Sequence, residues 1–373
     1  MSEHFKHTEE AHRERRLRQH KHLFWLLAIA AGLIFFQCYM VAPLIPRLSE
    51  VFEIPAQEIA LIVPAYMLSY ALTALFYGLL SDRFGRWCVI QVSLILFIVF
   101  TALTATAQSA FQMMVWRVLT GIGASGVIPL TFALIGNLFP FNQRGAKLGL
   151  VFAPMEGDGC WVSRGALLEP FVGWQTLFIG TSVITAIVLW LLRPYRSLFD
   201  SPKVKKLPSV QQVFAGYRTV LSNVRGARTY AYVLWNGVYH SGVYTWLGFH
   251  LSQPYEMGEV GIGLTIFEYG ITGLLFSSLI GRAADRWGRR SLIPSGLGIA
   301  ALAGIAMIFQ IPPNATTVAI LVLSLGYDLT QPLFVGIVSD MSDDRMLGQT
   351  MGLKVFAPRD LVLAATCLGK FCA

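Results

Sequence analysis

The chain has 373 residues, of which 55% are hydrophobic and only 13% are charged, about half the charged share of an ordinary soluble domain. Its mean hydropathy is +0.57. This composition excludes an ordinary soluble enzyme, a disordered tail protein and a coiled coil, because a folded soluble protein needs more polar surface. The five cysteines are scattered and odd in number, which indicates neither a disulfide framework nor a zinc site.

Long apolar runs divide the chain, each about as long as the ~20 residues that cross a bilayer core. They predict spans at 23–45, 58–80, 88–107, 111–137, 171–192, 229–251, 260–280, 291–311 and 315–338. Two further segments, 146–168 and 348–373, lie where spans are expected but contain charged residues. The sequence therefore predicts an all-α polytopic membrane protein of about 11 spans.

The basic residues alternate between the connections. Most of the 29 Lys and Arg residues lie in 1–22, in 193–228 and in alternate short loops, whereas the other connections contain only Arg47. The positive-inside rule then places the amino terminus in the cytoplasm and requires 146–168 to cross the membrane. This topology explains the net charge of +8, so we expect no nucleic-acid partner.

The longest connection separates two halves of the chain. Within it, apolar residues recur at helical spacing from Val210 to Leu221, which predicts an amphipathic helix on the membrane surface; a solvated basic linker is the alternative. The predicted parts are a basic cytoplasmic tail (1–22), an N-terminal six-helix half (23–192), a cytoplasmic linker (193–228) and a truncated C-terminal half (229–373).

The two halves share a sequence repeat. The segment from Gly78 to Trp87 reappears from Gly281 to Arg290, and Val-Phe-Ala-Pro occurs at 151–154 and again at 355–358. Both repeats have nearly the same offset and the same place in the order of spans. They indicate two parallel structural repeats, an arrangement that places a substrate site at the repeat interface near the middle of the bilayer.

These motifs resemble those of a known family. The pattern G-x-x-x-D-R-x-G-R, present twice, resembles the signature of the major facilitator superfamily, and Arg117-Val-Leu-Thr-Gly121-Ile-Gly123 resembles that family's second motif. Proton-driven efflux permeases of drugs and sugars are nearest by resemblance. The resemblance implies a bundle of two pseudo-symmetric six-helix halves, here with a disrupted fifth span and no twelfth span, in a cell inner membrane.

The duplicated motif also has a physical interpretation. Gly78 lets two helices approach closely, Gly85 permits a tight turn, and Asp82 is an acid that can meet the amino terminus of a neighbouring helix. The resemblance implies that Asp82 and Asp285 hold the halves together in the state closed to the inside, whereas the arginines are expected to stay in the cytoplasm and fix topology. The predicted conformational-switch residues are Gly78, Asp82, Arg83, Gly85, Arg86, Gly281, Asp285, Arg286, Gly288 and Arg289.

Charged side chains inside spans are candidates for function. Asp328 lies near the middle of 315–338, where a carboxylate must be paired, protonated or in a wet cavity. Glu268, in the eighth predicted span, is a weaker candidate for function on the same grounds. Arg117 lies six residues into the fourth span; the similar family arginine is implicated in proton coupling, and extension to the outer surface is the alternative.

The first, fourth, seventh and tenth spans surround the cavity, according to the resemblance. His240 shares a helix face with Asn236 and Tyr244, and Gln37 lies in the first span; a packing histidine is the alternative for His240. The aromatic residues of these spans favour a lipophilic or amphipathic solute, although they also fit interfacial anchors. These residues are Phe35, Phe36, Tyr39, Trp235 and Trp246.

Two segments depart from the family pattern just after Val-Phe-Ala-Pro. The fifth span contains Glu156, Asp158 and Arg164, and the end of the chain contains charges and stops before a twelfth span. Either the charged fifth span lines a wet pathway, with its acids binding a cation, or the reading frame changes locally at both places. We favour the frame change, which predicts that the neighbouring frames encode apolar, glycine-rich helices.

The expected activity is proton-coupled export of a small organic molecule by alternating access, with the proton gradient as energy source and no cofactor. The alternatives are proton-coupled uptake of a sugar or organic acid, or a non-transporting remnant. We expect a monomer whose partners are its solute and the lipid bilayer. No phosphate loop, nucleophile elbow or metal-spaced His/Cys cluster occurs in the sequence, so we expect no enzyme.

Overall fold

A computed structural model describes residues 22–140, 143–156, 168–169, 171–199, 215, 218–219, 221–252, 259–309 and 311–340. The predicted surface helix of the linker, the charged part of the fifth span and the predicted eleventh span lie wholly or mostly outside these residues.

The N-terminal half is built from nine helices in the described residues. They are α1 (His22–Tyr39), α2 (Ile45–Phe52), α3 (Ala56–Ala60), α4 (Ile62–Phe84), α5 (Arg86–Thr104), α6 (Ala110–Ala124), α7 (Val127–Leu138), α8 (Arg144–Glu156) and α9 (Trp174–Leu192). Short 3-10 helices occupy Ala42–Leu44 and Arg193–Phe199.

The C-terminal half follows the same order as far as the described residues extend. Its helices are α10 (Val224–Ser252), α11 (Glu259–Trp287), α12 (Arg289–Ile308), α13 (Pro313–Asp328) and α14 (Gln331–Asp340). The part of the chain that the structure describes contains no β-strand, so the predicted all-α class is confirmed.

Seven stretches are long and apolar enough to cross a membrane. They are His22–Tyr39, Ala56–Phe84, Arg86–Thr104, Ala110–Leu138, Trp174–Phe199, Arg289–Ile308 and Asn314–Val338. Helices α8, α10 and α11 occupy the positions predicted for the fifth, seventh and eighth spans. Described helices therefore occur at each of the first ten predicted span positions.

Two glycines make the tight turns that the duplicated motif predicts. Gly85 ends α4 with φ 89° and Gly288 ends α11 with φ 83°. Only glycine adopts such a backbone conformation without strain. In each half the next helix therefore starts directly after the turn and runs back beside the previous one.

The two halves meet along α8 and α11, with further contacts of α14 on α7 and α8. Within the N-terminal half, α6 packs on α4 and α5, and α9 packs on α5; within the C-terminal half, α13 packs on α11 and α12. The outer helices expose large apolar side chains, such as Trp190 at 63% and Ile308 at 74%. Such surfaces suit a helix that faces lipid.

Candidate functional site

The fourth and tenth spans are each broken at equivalent points of the repeat. Helix α6 ends at Ala124 and α7 begins at Val127, whereas α13 ends at Asp328 and α14 begins at Gln331. The predicted spans at 111–137 and 315–338 each lie within one membrane-length apolar stretch, Ala110–Leu138 and Asn314–Val338. The local break inside each stretch was not predicted. Broken helices at membrane depth are typical of transporter binding sites.

A proline explains each break. Pro129 follows Ser125 by four residues, and Pro332 follows Asp328 by the same number. Proline has no N–H to donate to the carbonyl four residues earlier, and its ring clashes with that carbonyl. The α-helical hydrogen bonds to the Ser125 and Asp328 carbonyls are therefore impossible. In the tenth span, the helix is thus interrupted beside the buried acid Asp328.

Asp328 is only 2% exposed and lies beside a buried polar network. The Asn236 side-chain amide donates to Thr330 Oγ1 at 2.9 Å, and the Thr330 hydroxyl donates to the Tyr327 backbone carbonyl at 2.7 Å. The Gln331 amide donates to the Tyr327 hydroxyl at 2.8 Å. The structure thus brings together two predicted residues, Asn236 of α10 and Asp328 of α13, at the break in the tenth span.

A pair of hydroxyl groups lies one turn before Asp328. Ser324 Oγ and Thr272 Oγ1 are 2.6 Å apart, and the Ser324 hydroxyl also lies 2.6 Å from the Tyr269 backbone carbonyl. Both hydroxyls are buried and join α13 to α11. This pair was not predicted from the sequence, and neither were Tyr327, Thr330 and Gln331. The available signal for Ser324, Tyr327, Thr330 and Gln331 was their position within four residues of Asp328.

Three other predicted cavity residues lie on helices whose backbone is described. Glu268 belongs to α11, directly before Tyr269, and His240 and Tyr244 belong to α10, after Asn236. Their side chains lie outside the described part of the structure. Their roles stay predictions.

Arg117 is completely buried in the N-terminal half. Its Nε donates to the Ile62 carbonyl at 3.2 Å, and its Nη1 donates to the Gln37 carbonyl at 3.0 Å and to Gln37 Oε1 at 2.7 Å. The guanidinium carbon lies 4.4 Å from the centre of the Tyr66 ring. The alternative of extension to the outer surface is therefore wrong, and Arg117 and Gln37 form one site between α1, α4 and α6.

The glycines of the second motif set the position of Arg117. A Cβ at Gly121 would lie 2.5 Å from the Tyr66 carbonyl, and one at Gly123 would lie 2.5 Å from the Phe97 backbone nitrogen. Only glycine therefore lets α6 approach α4 and α5 this closely. Arg117, one turn earlier, is held against the start of α4.

Asp285 joins the two halves. Its carboxylate accepts the backbone N–H groups of Gly145 at 2.9 Å and Ala146 at 3.0 Å, in the first turn of α8. A helix amino terminus carries unpaired N–H groups and a partial positive charge, so a carboxylate is a favourable partner. Arg289 Nη2 lies 3.8 Å from the same carboxylate.

The helix backbones touch beside this carboxylate. A Cβ added at Gly145 would collide with the Gly281 carbonyl, and one added at Gly149 would collide with the Ser277 carbonyl. The two contacts are one helical turn apart, which is the spacing of small-residue packing motifs in membranes. We call the end of the bundle that holds these contacts and both duplicated motifs the motif end.

For the first copy of the motif, the structure describes Asp82 and its neighbours on α4 but not the segment that Asp82 would contact. Asp82 is half-buried near the end of α4, where Gly78 is buried and Arg83 is exposed. The guanidinium of Arg83 lies 5.2 Å from the centre of the Phe84 ring. The repeat places the counterpart of the Asp285 contact beyond residue 340, outside the described residues.

Two motif arginines are buried within the protein rather than exposed at its surface. Arg86 is 2% exposed, and with the Asn137 amide oxygen turned toward it, both Nη atoms donate to that oxygen at 2.8 and 3.0 Å. Arg289 is 8% exposed and packs on Gly336, where a Cβ would lie 2.8 Å from its Nε. Arg286 is exposed, as predicted. Arg86 and Arg289 thus tie each motif to the following broken span.

A cavity of about 130 Å³ lies between α10, α12 and α13. Its walls include Asn236 and Tyr327 of the polar network, and the Tyr239 hydroxyl donates to the Ala300 carbonyl at 3.3 Å. Trp235 of the predicted aromatic wall also lines this cavity and is 71% exposed.

Phe35 and Tyr39 of the predicted aromatic wall are both 5% exposed and stack on each other at 6.0 Å. Among the described residues, no group of three or more His, Cys, Asp or Glu side chains could hold a metal ion.

Comparison with known proteins places this architecture in a family. The model of the Major Facilitator Superfamily matches residues 27–357. The uncharacterized MFS-type transporter YwfA of Bacillus subtilis (strain 168) is 24% identical over 377 residues, which cover 95% of this chain and 90% of the relative.

Two solved structures share the fold. The human organic anion transporter MFSD10 has a TM-score of 0.80 at 16% identity, covering 94% of this chain and 93% of its own. The proton:xylose symporter XylE has a TM-score of 0.66 at 16% identity, covering 93% and 87%. With the family model, the duplicated motif and the helical halves in agreement, the chain belongs to the major facilitator superfamily and is a multi-pass membrane transporter.

Proposed function

We propose that this transporter exports a small organic solute in exchange for protons, by alternating access. The observation that carries the coupling is Asp328: a buried carboxylate at a proline-induced helix break, beside the Asn236–Thr330 hydrogen bond. A carboxylate at this depth is costly while charged, so its protonation depends on which side of the membrane supplies water. Glu268, Arg117 and His240 are the proposed partners in coupling.

The conformational step is proposed to occur at the motif end. Asp285 binds the first turn of α8 only while α8 and α11 are in contact, so the Gly145–Gly281 and Gly149–Ser277 contacts and the carboxylate cap form or break together. With the amino terminus in the cytoplasm, as the basic residues predict, this contact closes the inner side. Asp82 has the same proposed role in the first copy.

Direction and location rest on the sequence. The resemblance to proton-driven efflux permeases of drugs and sugars supports export, and the short loops support a cell inner membrane. The two solved neighbours carry different solutes, an organic anion and xylose, so the shared fold leaves the solute open. We propose a monomer that uses the proton gradient and no other cofactor.

A screen followed by a vesicle assay tests the proposal. Strains lacking their own efflux systems, with and without the gene, are screened for solutes whose toxicity the gene relieves. Each hit is then added to acidified inverted vesicles, with a pH-sensitive acridine dye as reporter. Wild-type vesicles are expected to lose lumenal acidity on addition of the solute, and Asp328→Asn vesicles are not.

The matched control is Glu58→Gln, because Glu58 is an exposed acid of α3. It should leave the response unchanged. If cells that carry the gene accumulate more radiolabelled solute rather than less, export is wrong and uptake replaces it. If Asp328→Asn responds like the wild type, Asp328 is not the coupling acid. If no solute moves in either direction, the chain is a non-transporting remnant.

A further inference from the structure

Arg117 has donors that its protein partners leave unused. A guanidinium has five N–H donors. The three hydrogen bonds to Ile62 and Gln37 use the Nε–H and both hydrogens of Nη1. Nη2 is buried without a hydrogen-bond partner, and so is Nε2 of Gln37, whose Oε1 faces Arg117. Two adjacent side chains, both fully buried, therefore present unused donors at one site.

Among residues 22–140, no carboxylate balances this charge. Between residues 22 and 140 the only acids are Glu50, Glu53, Glu58 and Asp82. The three glutamates are exposed. Asp82 lies twenty residues beyond Ile62 on α4, roughly 30 Å away at 1.5 Å per residue. The described ion pairs likewise give Arg117 no partner.

A buried charge without a counter-charge is costly, and unused buried donors add to that cost. Carbonyl oxygens and the Tyr66 ring offset part of it, but none of them carries a negative charge. An arrangement of one full positive charge with N–H donors on two neighbouring groups fits one carboxylate, which offers one negative charge and two acceptor oxygens.

We propose that the transported solute carries a carboxylate, which binds between the Arg117 guanidinium and the Gln37 side-chain amide. The inference rests on the proposed function, because it names the class of solute that the transporter carries. It makes Arg117 a solute-binding residue, and it makes Tyr66, stacked on the guanidinium, part of the same site.

The surroundings favour an organic monocarboxylate over an inorganic anion. The adjoining cavity is lined by Ile34, Phe35, Met67, Tyr66 and Tyr70, so the remainder of the solute would meet apolar and aromatic surface. This cavity is about 10 Å³ in the described conformation, room for roughly one water-sized group. Binding therefore requires the other conformation that alternating access supplies.

Thermal unfolding of the purified full-length chain in detergent tests the proposal without a pH gradient. The probes are benzoate, phenylacetate and hexanoate at millimolar concentration, each beside its neutral primary amide and beside chloride and inorganic phosphate. A ligand that binds the folded state raises Tm. At least one acid is expected to raise Tm, while its amide and the inorganic anions do not.

Two variants of the site sharpen the test. Arg117→Gln should weaken the apparent affinity for that acid roughly tenfold or more, since bonds to charged groups are involved. Arg47→Gln is the control, because it removes an exposed arginine from α2 at the same end of the bundle. Gln37→Glu places a carboxylate beside Arg117, so it should raise Tm without ligand and reduce the shift produced by the acid. If Arg117→Gln does not fold, the Tm of Gln37→Glu with and without the acid tests whether the carboxylate binds at this site.

Four results overturn the proposal: no shift with any of the acids, equal shifts with acid and amide, an equal shift with chloride or phosphate, or undiminished binding of the acid by Arg117→Gln. The first means that the donors are satisfied without a solute. Since none of these measurements uses proton movement, they fail independently of the proton-coupled export tested in vesicles.

Discussion

The Asp285 carboxylate accepts the Gly145 N–H at 2.9 Å, although the two residues are 140 positions apart and belong to different halves. The neighbouring Ala146 N–H is bound in the same way. The contact joins the charged motif of one repeat to the first turn of a helix in the other. It therefore reports directly on whether the halves are together at the motif end.

Asp285→Asn should open the motif end more often. The variant keeps one acceptor oxygen but loses the negative charge, a loss of about 0.5–2 kcal/mol for a helix cap. That shifts the ratio of open to closed states by roughly 2- to 30-fold. The measurement is the labelling rate of Lys147→Cys, in a background without the five native cysteines, by a membrane-impermeant maleimide. Glu50→Gln is the control, and equal rates in all three proteins would contradict the role assigned to Asp285.

Gly149→Val should separate α8 from α11. Its side chain would overlap the Ser277 carbonyl, and because both sides of the contact are backbone, neither yields without moving a helix. We expect a loss of stability of roughly 1–3 kcal/mol, seen as a lower Tm. Gly180→Val is the matched control, since nothing lies within 4 Å of a Cβ at Gly180. Similar losses in both variants would mean that valine, rather than the helix contact, is responsible.

Gly121→Ala should disturb the Arg117 site through packing alone. The added methyl group would lie 2.5 Å from the Tyr66 carbonyl, which moves α6 away from α4 and lengthens the bond from Arg117 to Ile62. We expect a lower Tm and weaker binding of any carboxylate. Gly298→Ala has open space at the added Cβ, so it should be neutral or stabilising by up to about 1 kcal/mol. A neutral Gly121→Ala would be inconsistent with this close packing.

Pro332→Ala should restore a continuous tenth span. Alanine supplies the missing N–H and removes the ring that clashes with the Asp328 carbonyl, so the helix gains stability while Asp328 loses its place at a break. We expect transport to fall roughly tenfold, with unchanged or higher Tm. Pro46→Ala, at the first turn of α2, is the control. Full transport by Pro332→Ala would show that the break is not needed.

The helices were largely predictable because span length and apolar character are local properties of the sequence. The runs at 58–80 and 88–107 differ from α4 and α5 by a few residues, and the turn at Gly85 lies where the motif placed it. The breaks at Ser125 and Asp328 were missed because averaged hydropathy hides a single proline. Pro129 and Pro332, at matching places in the repeat, were the available signal.

Side-chain partners were less predictable, because they depend on which helices become neighbours. The sequence indicated that an acid of the motif meets a helix amino terminus, but only the fold identifies that helix as α8. Arg86 is a charged residue of a predicted cytoplasmic loop, and yet it is buried, because Asn137 of a distant helix accepts its hydrogen bonds. Likewise, Gln37 carried no sign of its link to Arg117 beyond its presence in an apolar span.

The groups that accept hydrogen bonds from Arg117 or stack on its guanidinium, in Gln37, Ile62 and Tyr66, come earlier in the chain. During synthesis these groups leave the ribosome first. When the helix that carries the arginine reaches the translocon, the carbonyl oxygens and aromatic ring that accept its charge are already in the bilayer. Because of this order of synthesis, Arg117 does not have to enter the bilayer without partners. Insertion of an unpaired arginine at the centre of a helix costs roughly 2.5–3.5 kcal/mol.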